Sequence, residues 1–337
     1  MILITGGAGY IGSHTAVVLL QAGYDIVIFD NLCNSSKVAI ERIEQITSQP
    51  VPFVEGDIRH ERELQQVFER YPIEAVIHFA GLKAVGESMQ KPLAYFDNNI
   101  NGTVQLLQVM QQHHVHQLVF SSSATVYGDN ATREFVEIMP LGMPTNNYGY
   151  TKLVIEQMLE KMAQAEPQWA FANLRYFNPI GAHPGGLLGE DPQGIPNNLL
   201  PYVAQVAVGK LASLNIFGND YDTPDGTAIR DYLHVMDLAQ GHLKALQYLR
   251  GKTGNFIWNL GTGQGQSVQQ IVQTFEQVTG ISIPYQIAPR RAGDIAAFWA
   301  NANKAQNELG WKAQYSLDTM IKDLWNWQSH NPNGFNT

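Results

Sequence analysis

The chain has 337 residues, 45% hydrophobic and 15% charged, a balance that excludes a disordered chain and leaves room for a large core with a second lobe. A net charge of -9 excludes nucleic acid as a general partner, because no basic face is available to displace phosphate counterions. Cys33 is the only cysteine, so no intrachain disulfide can form, as in proteins of a reducing compartment.

The apolar "ILI" at 2–4 is cut off at once by "TGGAG" and predicts a first strand rather than a targeting segment. With no membrane span visible, a cytoplasmic protein without a membrane partner is expected. Strands are predicted at 2–5, 25–30, 52–57, 75–80, 117–123 and 171–177, and helices at 10–22, 37–48, 60–70, 92–113 and 148–164. Most of these strands are near-continuously apolar, as strands buried on both faces of a parallel sheet must be. Their alternation with helices predicts an α/β, doubly wound parallel sheet, a Rossmann-type domain over residues 1–177. After residue 177 a Gly-, Pro- and Asn-rich stretch reads as a long ordered loop. Helices at 197–209, 235–250 and 267–279, with strands near 213–217, 256–260 and 282–287, are expected to build a smaller C-terminal α/β lobe over 178–337.

"TGGAGYIG" (5–12) lies between the first strand and the first helix, and Gly7, Gly9 and Gly12 satisfy G-x-G-x-x-G, with Gly6 adding flexibility. Glycine is needed there so that a pyrophosphate can approach amides at a helix N-terminus. Asp30 closes the second strand 18 residues beyond Gly12, where a carboxylate can accept bonds from ribose hydroxyls. Asn31 and Leu32 follow with no adjacent arginine to welcome a 2′-phosphate, which favours NAD over NADP. "GDI" (56–58) puts Asp57 and Ile58 where an adenine could be bonded and flanked, and "FAGLK" (79–83) puts small residues and Lys83 at a carboxyl edge of the sheet. Each of these two segments also fits an ordinary loop.

The fifth strand ends in "SSS" (121–123), and "YGYTK" (148–152) opens a helix. Residues four apart share a helix face, so Tyr148 and Lys152 point the same way while Tyr150 points elsewhere. A phenol titrates near ~10 and becomes a useful base only when a nearby charge stabilises its anion. Ser123, Tyr148 and Lys152 are the parts needed to move a proton to or from a sugar hydroxyl beside a nicotinamide. The pair alone also fits an amphipathic helix start with a snorkelling lysine. No metal site is expected: "HHVH" (113–116) lacks an acidic or Cys partner, and Asp220, Asp222 and Asp225 lack the closing Glu of a calcium loop.

Together "TGGAGYIG", "DNLCNS", "HFAGLKAVGES", "NNINGT", "SSSATVYG", "YGYTK" and "LRYFNPIGAHP" closely resemble the extended short-chain dehydrogenase/reductases and, among them, the UDP-glucose 4-epimerase family. The resemblance runs from Met1 to about Trp311. It implies a retained NAD, a UDP-hexose substrate, Tyr148 as base, Ser123 as its hydrogen-bonding partner and Lys152 as the cation that lowers its pKa. It implies NAD contacts from Gly6, Gly9, Tyr10, Ile11, Gly12, Asp30, Asn31, Leu32, Cys33, Asn34, Ser35, Asp57, Ile58, Phe79, Ala80, Gly81, Leu82, Lys83, Asn98 and Phe177, besides Ser123, Tyr148 and Lys152. The sugar nucleotide would meet Ser123, Tyr148, Asn178, Asn198, Leu199, Phe217, Arg230, Arg291 and Asp294, with both arginines on the diphosphate and Phe298 beside the hexose. A homodimer through helices 92–113 and 148–164 is also implied.

The implied reaction removes hydride from sugar carbon 4, turns the 4-keto sugar over and returns the hydride to the other face. Sugar-nucleotide 4,6-dehydratases carry an Asp–Glu pair after the strand-five hydroxyl residue, whereas Ser123 is followed by Ala124, Thr125 and Val126, so elimination has no catalyst here. The competing readings are a sugar-nucleotide dehydrogenase or reductase that releases its cofactor, and a catalytically idle NAD-binding regulator.

Overall fold

Apolar runs bounded by glycine and polar turns become the strands of the large sheet. The structure, a computed structural model, describes residues 1–337 apart from Ala131, Gln193, Ile195, Asn197, Ala292, Gly293 and Thr337, so three positions of the long loop expected after residue 177 lie outside the described residues. The first half contains β1 (Ile2–Thr5), β2 (Ile26–Asp30), β3 (Phe53–Glu55), β4 (Ala75–His78) and β5 (Gln117–Ser123), then the two-residue β6 (Glu134–Phe135) and β7 (Ala170–Tyr176). Beyond them come β8 (Asn178–Ile180), β9 (Leu214–Phe217), β10 (Ile229–His234), β11 (Gly254–Leu260), β12 (Gly265–Ser267), β13 (Tyr285–Ala288) and β14 (Ala297–Ala300). Seven strands form one parallel sheet in the order β11-β7-β5-β4-β1-β2-β3. The order reverses between β1 and β4, where the carboxyl ends of a doubly wound sheet open into a crevice.

Both sheet faces are covered, which is why β1 and β2 are buried along their full length. Ile2, Ile4 and Ile28 pack on one face with Val17 of the helix Tyr10–Gln21 and Leu246 of the helix Val235–Leu249. Leu3 and Val27 face the other way, against Leu106, Val109 and Ile155. Isoleucine and leucine thus alternate between two cores with the period of a strand.

The helix expected over 92–113 runs without a break from Pro92 to Gln112 but changes pitch on the way. Pro92–Tyr95 is a single α-turn, Phe96–Asn101 widens into a π-turn, and α-helix resumes at Gly102–Gln112. The physical reason is the side chain of Asn99, which turns inward and accepts from Leu82 N at 2.8 Å while donating to Leu82 O and Thr151 Oγ1, both at 3.0 Å.

The stretch 235–260, read from the sequence as part of the C-terminal lobe, returns to the large sheet. β11 pairs with β7 over seven residues, and the helix Val235–Leu249 lies against the helix Tyr10–Gln21. The remaining strands build a five-stranded sheet, β12-β10-β14-β6 with β8 on β10, and a two-stranded sheet of β9 and β13. The helices Leu199–Ala207, Val268–Thr279 and Leu317–His330 close around Val203, Ile271, Phe275 and Ile321. Among the described residues no helix is long and apolar enough to cross a membrane.

Candidate active site

β5 delivers its three serines to the carboxyl edge of the sheet, and Ser123 Oγ caps the following 3-10 turn, Ala124–Tyr127, by accepting from Thr125 N at 3.2 Å. The helix Asn147–Ala165 starts beside that turn. Asn146 caps it by accepting from Gly149 N at 2.8 Å. A Cβ on Gly149 would stand 3.1 Å from Thr125 Cβ, so glycine lets the helix press Tyr148 toward Ser123. Tyr148 is half-buried, and loss of water around the phenolate pushes its pKa up to about 12, opposed by its hydrogen bond with Ser123. Lys152 is 5% exposed, donates from Nζ to Ser121 O at 2.6 Å and stands 5.8 Å from the centre of the Tyr148 ring. Burial pulls its pKa down to about 7, opposed by the carboxylate of Glu156 one turn further along.

Burial is the largest influence on the phenol, Ser123 opposes it, and the Lys152 ammonium lies 5.8 Å from the ring centre.

The Gly-rich turn fits an anion. Gly9 begins the helix Tyr10–Gln21 with no side-chain cap and no acidic residue in the first turn, leaving the leading N–H groups, from Tyr10, Ile11 and Gly12, as donors. Gly6 has φ +71, and a Cβ there would lie 2.6 Å from Ala80 N, so the turn can touch the "FAGLK" segment. Asp30 accepts from Ala8 N at 3.0 Å, Leu32 N at 2.9 Å and Ser35 Oγ at 2.8 Å. A carboxylate offers about four acceptor sites, so room remains for a ribose hydroxyl. These bonds hold Leu32 at φ 58, an uncommon backbone for a bulky residue and a mark of a constrained loop. Cys33 and Asn34 are exposed on the same loop, and Cys33 N donates to Asn31 Oδ1 at 3.1 Å.

Further along the edge, Asn31 Nδ2 donates to Asp57 at 2.9 Å, Ile58 packs against Gly102, and Phe79 lies 4.6 Å from the His242 ring. Gly81 and Leu82 abut Asn99, to which Asn98 donates at 3.0 Å. Arg59, unforeseen in the sequence, binds Asp57 at 2.8 Å and Asp97 at 3.0 Å and holds the Asp57 carboxyl well below the usual range. Its guanidinium is committed to carboxylates and does not offer a site for a 2′-phosphate. An uncapped helix start, a turn of three glycines and Ala8, and a ribose acceptor fit a dinucleotide without that extra phosphate.

Two bridges cross to the other wall. Tyr10 OH donates to Gly181 O at 2.7 Å, and Lys83 Nζ donates to Glu190 at 2.9 Å, with Asn198 reaching the same carboxylate at 3.4 Å. Leu199 follows Asn198 as the first residue of its helix. On this wall Asn178 of β8 pairs with β10, and β10 aligns Arg230 with Phe298 of β14. The Arg230 guanidinium stands 4.6 Å from the Phe298 ring centre, and Phe298 stacks 5.5 Å from Phe135 and lies 5.9 Å from Phe177. Asp294 is held by Arg291 at 2.8 Å and lies 3.8 Å from Arg230, while Arg291 stands 5.0 Å from the half-exposed Phe217 ring. Burial lowers the pKa of Arg230, opposed chiefly by Asp294. The Arg230 side chain is thus mostly covered, at 14% exposed, while that of Arg291, at 55%, stays at the rim.

Sequence reasoning missed Asn99, Arg59, Glu190 and a buried pair of Glu156 with Arg175. Each has a partner from a distant segment, Thr151 for Asn99, Asp97 for Arg59, Lys83 for Glu190 and Arg175 for Glu156, which no spacing rule reveals. The aspartates set aside in the sequence have separate partners: Asp220 binds Arg290, Asp222 binds Arg133, and Asp225 accepts from Thr227.

A doubly wound parallel sheet with a Ser–Tyr–Lys set at its carboxyl edge, extended by a second lobe, is the architecture of an extended short-chain dehydrogenase/reductase. A family model described as GDP-mannose 4,6 dehydratase matches residues 3–324. The chain is 56% identical over 334 residues to the UDP-glucose 4-epimerase of Bacillus subtilis (strain 168), covering 99% of this chain and 98% of that protein. It is 54% identical over 342 residues to the UDP-glucose 4-epimerase of Homo sapiens, covering 100% and 98%. The crystal structure of UDP-glucose 4-epimerase from Bifidobacterium longum in complex with NAD+ and UDP superposes with a TM-score of 0.96 at 54% identity over 99% of each chain. The chain belongs to the UDP-glucose 4-epimerase family.

Proposed function

We propose that this protein is an NAD-dependent isomerase that interconverts UDP-galactose and UDP-glucose at sugar carbon 4. The observation that supports the reading is that Ser123, Tyr148 and Lys152 stand at the sheet edge beside Ala124 and Phe177, which share a cluster with Phe298, the ring that carries Arg230 and, beyond it, Asp294. Bound NAD supplies the acceptor and donor of hydride at carbon 4 and, when oxidised, a positive charge beside the phenol. Tyr148 takes the proton of the sugar 4-hydroxyl and later gives it back. Ser123 shares that hydrogen bond, and Lys152 keeps a cation under the tyrosine ring. Arg230 and Arg291 hold the diphosphate, helped by Asn178, Asn198, Leu199, Phe217 and Asp294, while few groups hold the hexose, which must turn over between the two hydride movements.

The Gly-rich turn, Asp30 to Ser35, Asp57, Ile58, Phe79 to Lys83, Asn98 and Phe177 would hold the cofactor. Residues before 178 then serve chiefly the dinucleotide and those after it the UDP-hexose. Phe298, braced by Phe135 and Arg230, would crowd an N-acetyl group, giving preference for glucose and galactose. The family model bears a dehydratase's name, yet Ala124 and Thr125 follow Ser123 where elimination would need a carboxylate. A groove between the helices Gly102–Gln112 and Asn147–Ala165, lined by Val104, Val154 and Met158, supports a homodimer closed through a four-helix bundle. A cytoplasmic location fits the single unpaired cysteine.

The purified protein, given UDP-galactose and no added cofactor, is expected to form UDP-glucose without free NADH. Stoichiometric consumption of added NAD would identify a dehydrogenase instead, and release of a 6-deoxy-4-keto sugar would identify a dehydratase.

A further inference from the structure

Tyr148, Lys152 and Glu156 follow one another at intervals of four residues, so they stack along one face of their helix. Glu156 is 3% exposed and Arg175, from β7, is 1% exposed. The two meet in a fork: Arg175 Nε donates to Glu156 Oε1 at 3.0 Å and Nη2 to Oε2 at 2.6 Å. Ser122 Oγ donates to the same carboxylate at 2.5 Å. Ser122 stands between Ser121, whose carbonyl receives the Lys152 ammonium, and Ser123. The remaining arm of Arg175 reaches Tyr127 OH at 3.1 Å, in the turn that Ser123 caps. One buried carboxylate therefore ties together the strand bearing Ser123, the turn after it and the helix bearing Tyr148 and Lys152.

An ion pair is a poor way to stabilise a core, because desolvating both charges offsets most of their attraction, and apolar residues of the same volume do as well or better. We infer that Glu156, steered by Arg175 and Ser122, is a positioning residue of the epimerisation that keeps the Lys152 ammonium charged and sets Ser123 against Tyr148. The inference rests on the function proposed above.

The other titratable groups facing this set are neutral at pH 7. His78, from β4, is buried between Thr5 and Thr103, with its pKa lowered to about 3 by burial and by Lys152. Tyr176 of β7 bonds the Ser121 hydroxyl, Tyr95 donates to Ala84 O, and burial raises both phenols. The charges acting on Lys152 are thus Glu156 and, behind it, Arg175.

The test is the pH profile of kcat in the holoenzyme. Glu156→Gln removes the anion, so Lys152 loses its proton at lower pH. The alkaline limb is expected to move down by about one pH unit, with NAD content retained. Because Glu156→Gln leaves Arg175 buried without its partner, the double variant Glu156→Gln/Arg175→Met is measured beside it and is expected to shift the same way. Glu156→Asp keeps the charge and is expected to keep the parent's limbs. A folded neutral variant whose profile overlays the parent's, or an Asp variant that shifts as far as the Gln variant, overturns the inference. If neither neutral variant folds, Ser122→Ala decides: a severalfold loss of kcat with unmoved limbs supports it, and unchanged kcat overturns it. A parent enzyme that fails to convert UDP-galactose would overturn the underlying function instead.

Discussion

Tyr148 has its hydroxyl beside Ser123 and its ring beside the Lys152 ammonium, so removing one oxygen separates proton transfer from binding. Tyr148→Phe is expected to lower kcat by about 10²–10⁴ while NAD released on denaturation stays at the parent's level. Turnover within a few fold of the parent would take the base role away from this residue. Phe298 tests substrate size. Phe298→Ala is expected to raise the turnover of UDP-N-acetylglucosamine relative to UDP-glucose by about tenfold or more, the range that added pocket volume commands. An unchanged ratio would place the size filter elsewhere. At this scale the sequence was informative wherever one helix turn or one strand end fixes a position, as it does for Ser123, Tyr148, Lys152 and Asp30. It was silent where long-range packing decides, as in the burial of Tyr148 and Lys152 that moves both pKa values away from their ordinary ranges.

The π-turn at Phe96–Asn101 makes its own prediction, because Asn99 joins the cofactor-side loop at Leu82 to the catalytic helix at Thr151. Asn99→Ala leaves the Leu82 backbone groups without that partner and is expected to cost about 2–4 kcal/mol in urea unfolding, with weaker NAD retention on gel filtration. A loss below about 0.5 kcal/mol would show that solvent satisfies those groups instead. The groove between the helices Gly102–Gln112 and Asn147–Ala165 is tested by Val154→Glu with Met158→Glu, expected to sediment as a monomer where the parent sediments as a dimer. Equal sedimentation of both would remove this face from the assembly. Strands with three consecutive apolar residues, such as β1, β4 and β5, were legible because their composition carries the signal. β6, β8 and β12 hold only two or three residues each, too few for any period, and "IRDYLH" of β10 hides a strand behind charged residues.

For the molecule as a whole, three buried histidines link folding to pH. His14 and His78 have pKa values lowered to about 3 and His242 to about 4, with burial the largest cause in each. Their folded values lie below the unfolded value near ~6.5, so the unfolded chain takes up protons that the native protein refuses. Stability is therefore present in full above pH ~6.5 and is lost as the pH falls toward 4. Between pH 7 and 5.5 the loss is expected to be about 1 kcal/mol per histidine, read from urea midpoints at the two pH values. Equal midpoints would mean that these rings gain protons in the folded state. The alternation of strands and helices made the doubly wound class legible, but the return of the chain to pair β11 with β7 was not, because an apolar run at 256–260 has the same composition in either lobe.

That return also bears on biosynthesis. A nascent chain that has only just emerged through residue 177 holds six of the seven strands of the large sheet, with the backbone of Ala170–Tyr176 as a bare edge. That rim is sealed only when Gly254–Leu260 leaves the ribosome, so the large sheet cannot be completed ahead of these later residues, and a truncation at this point is expected to pair edge to edge with its own copies.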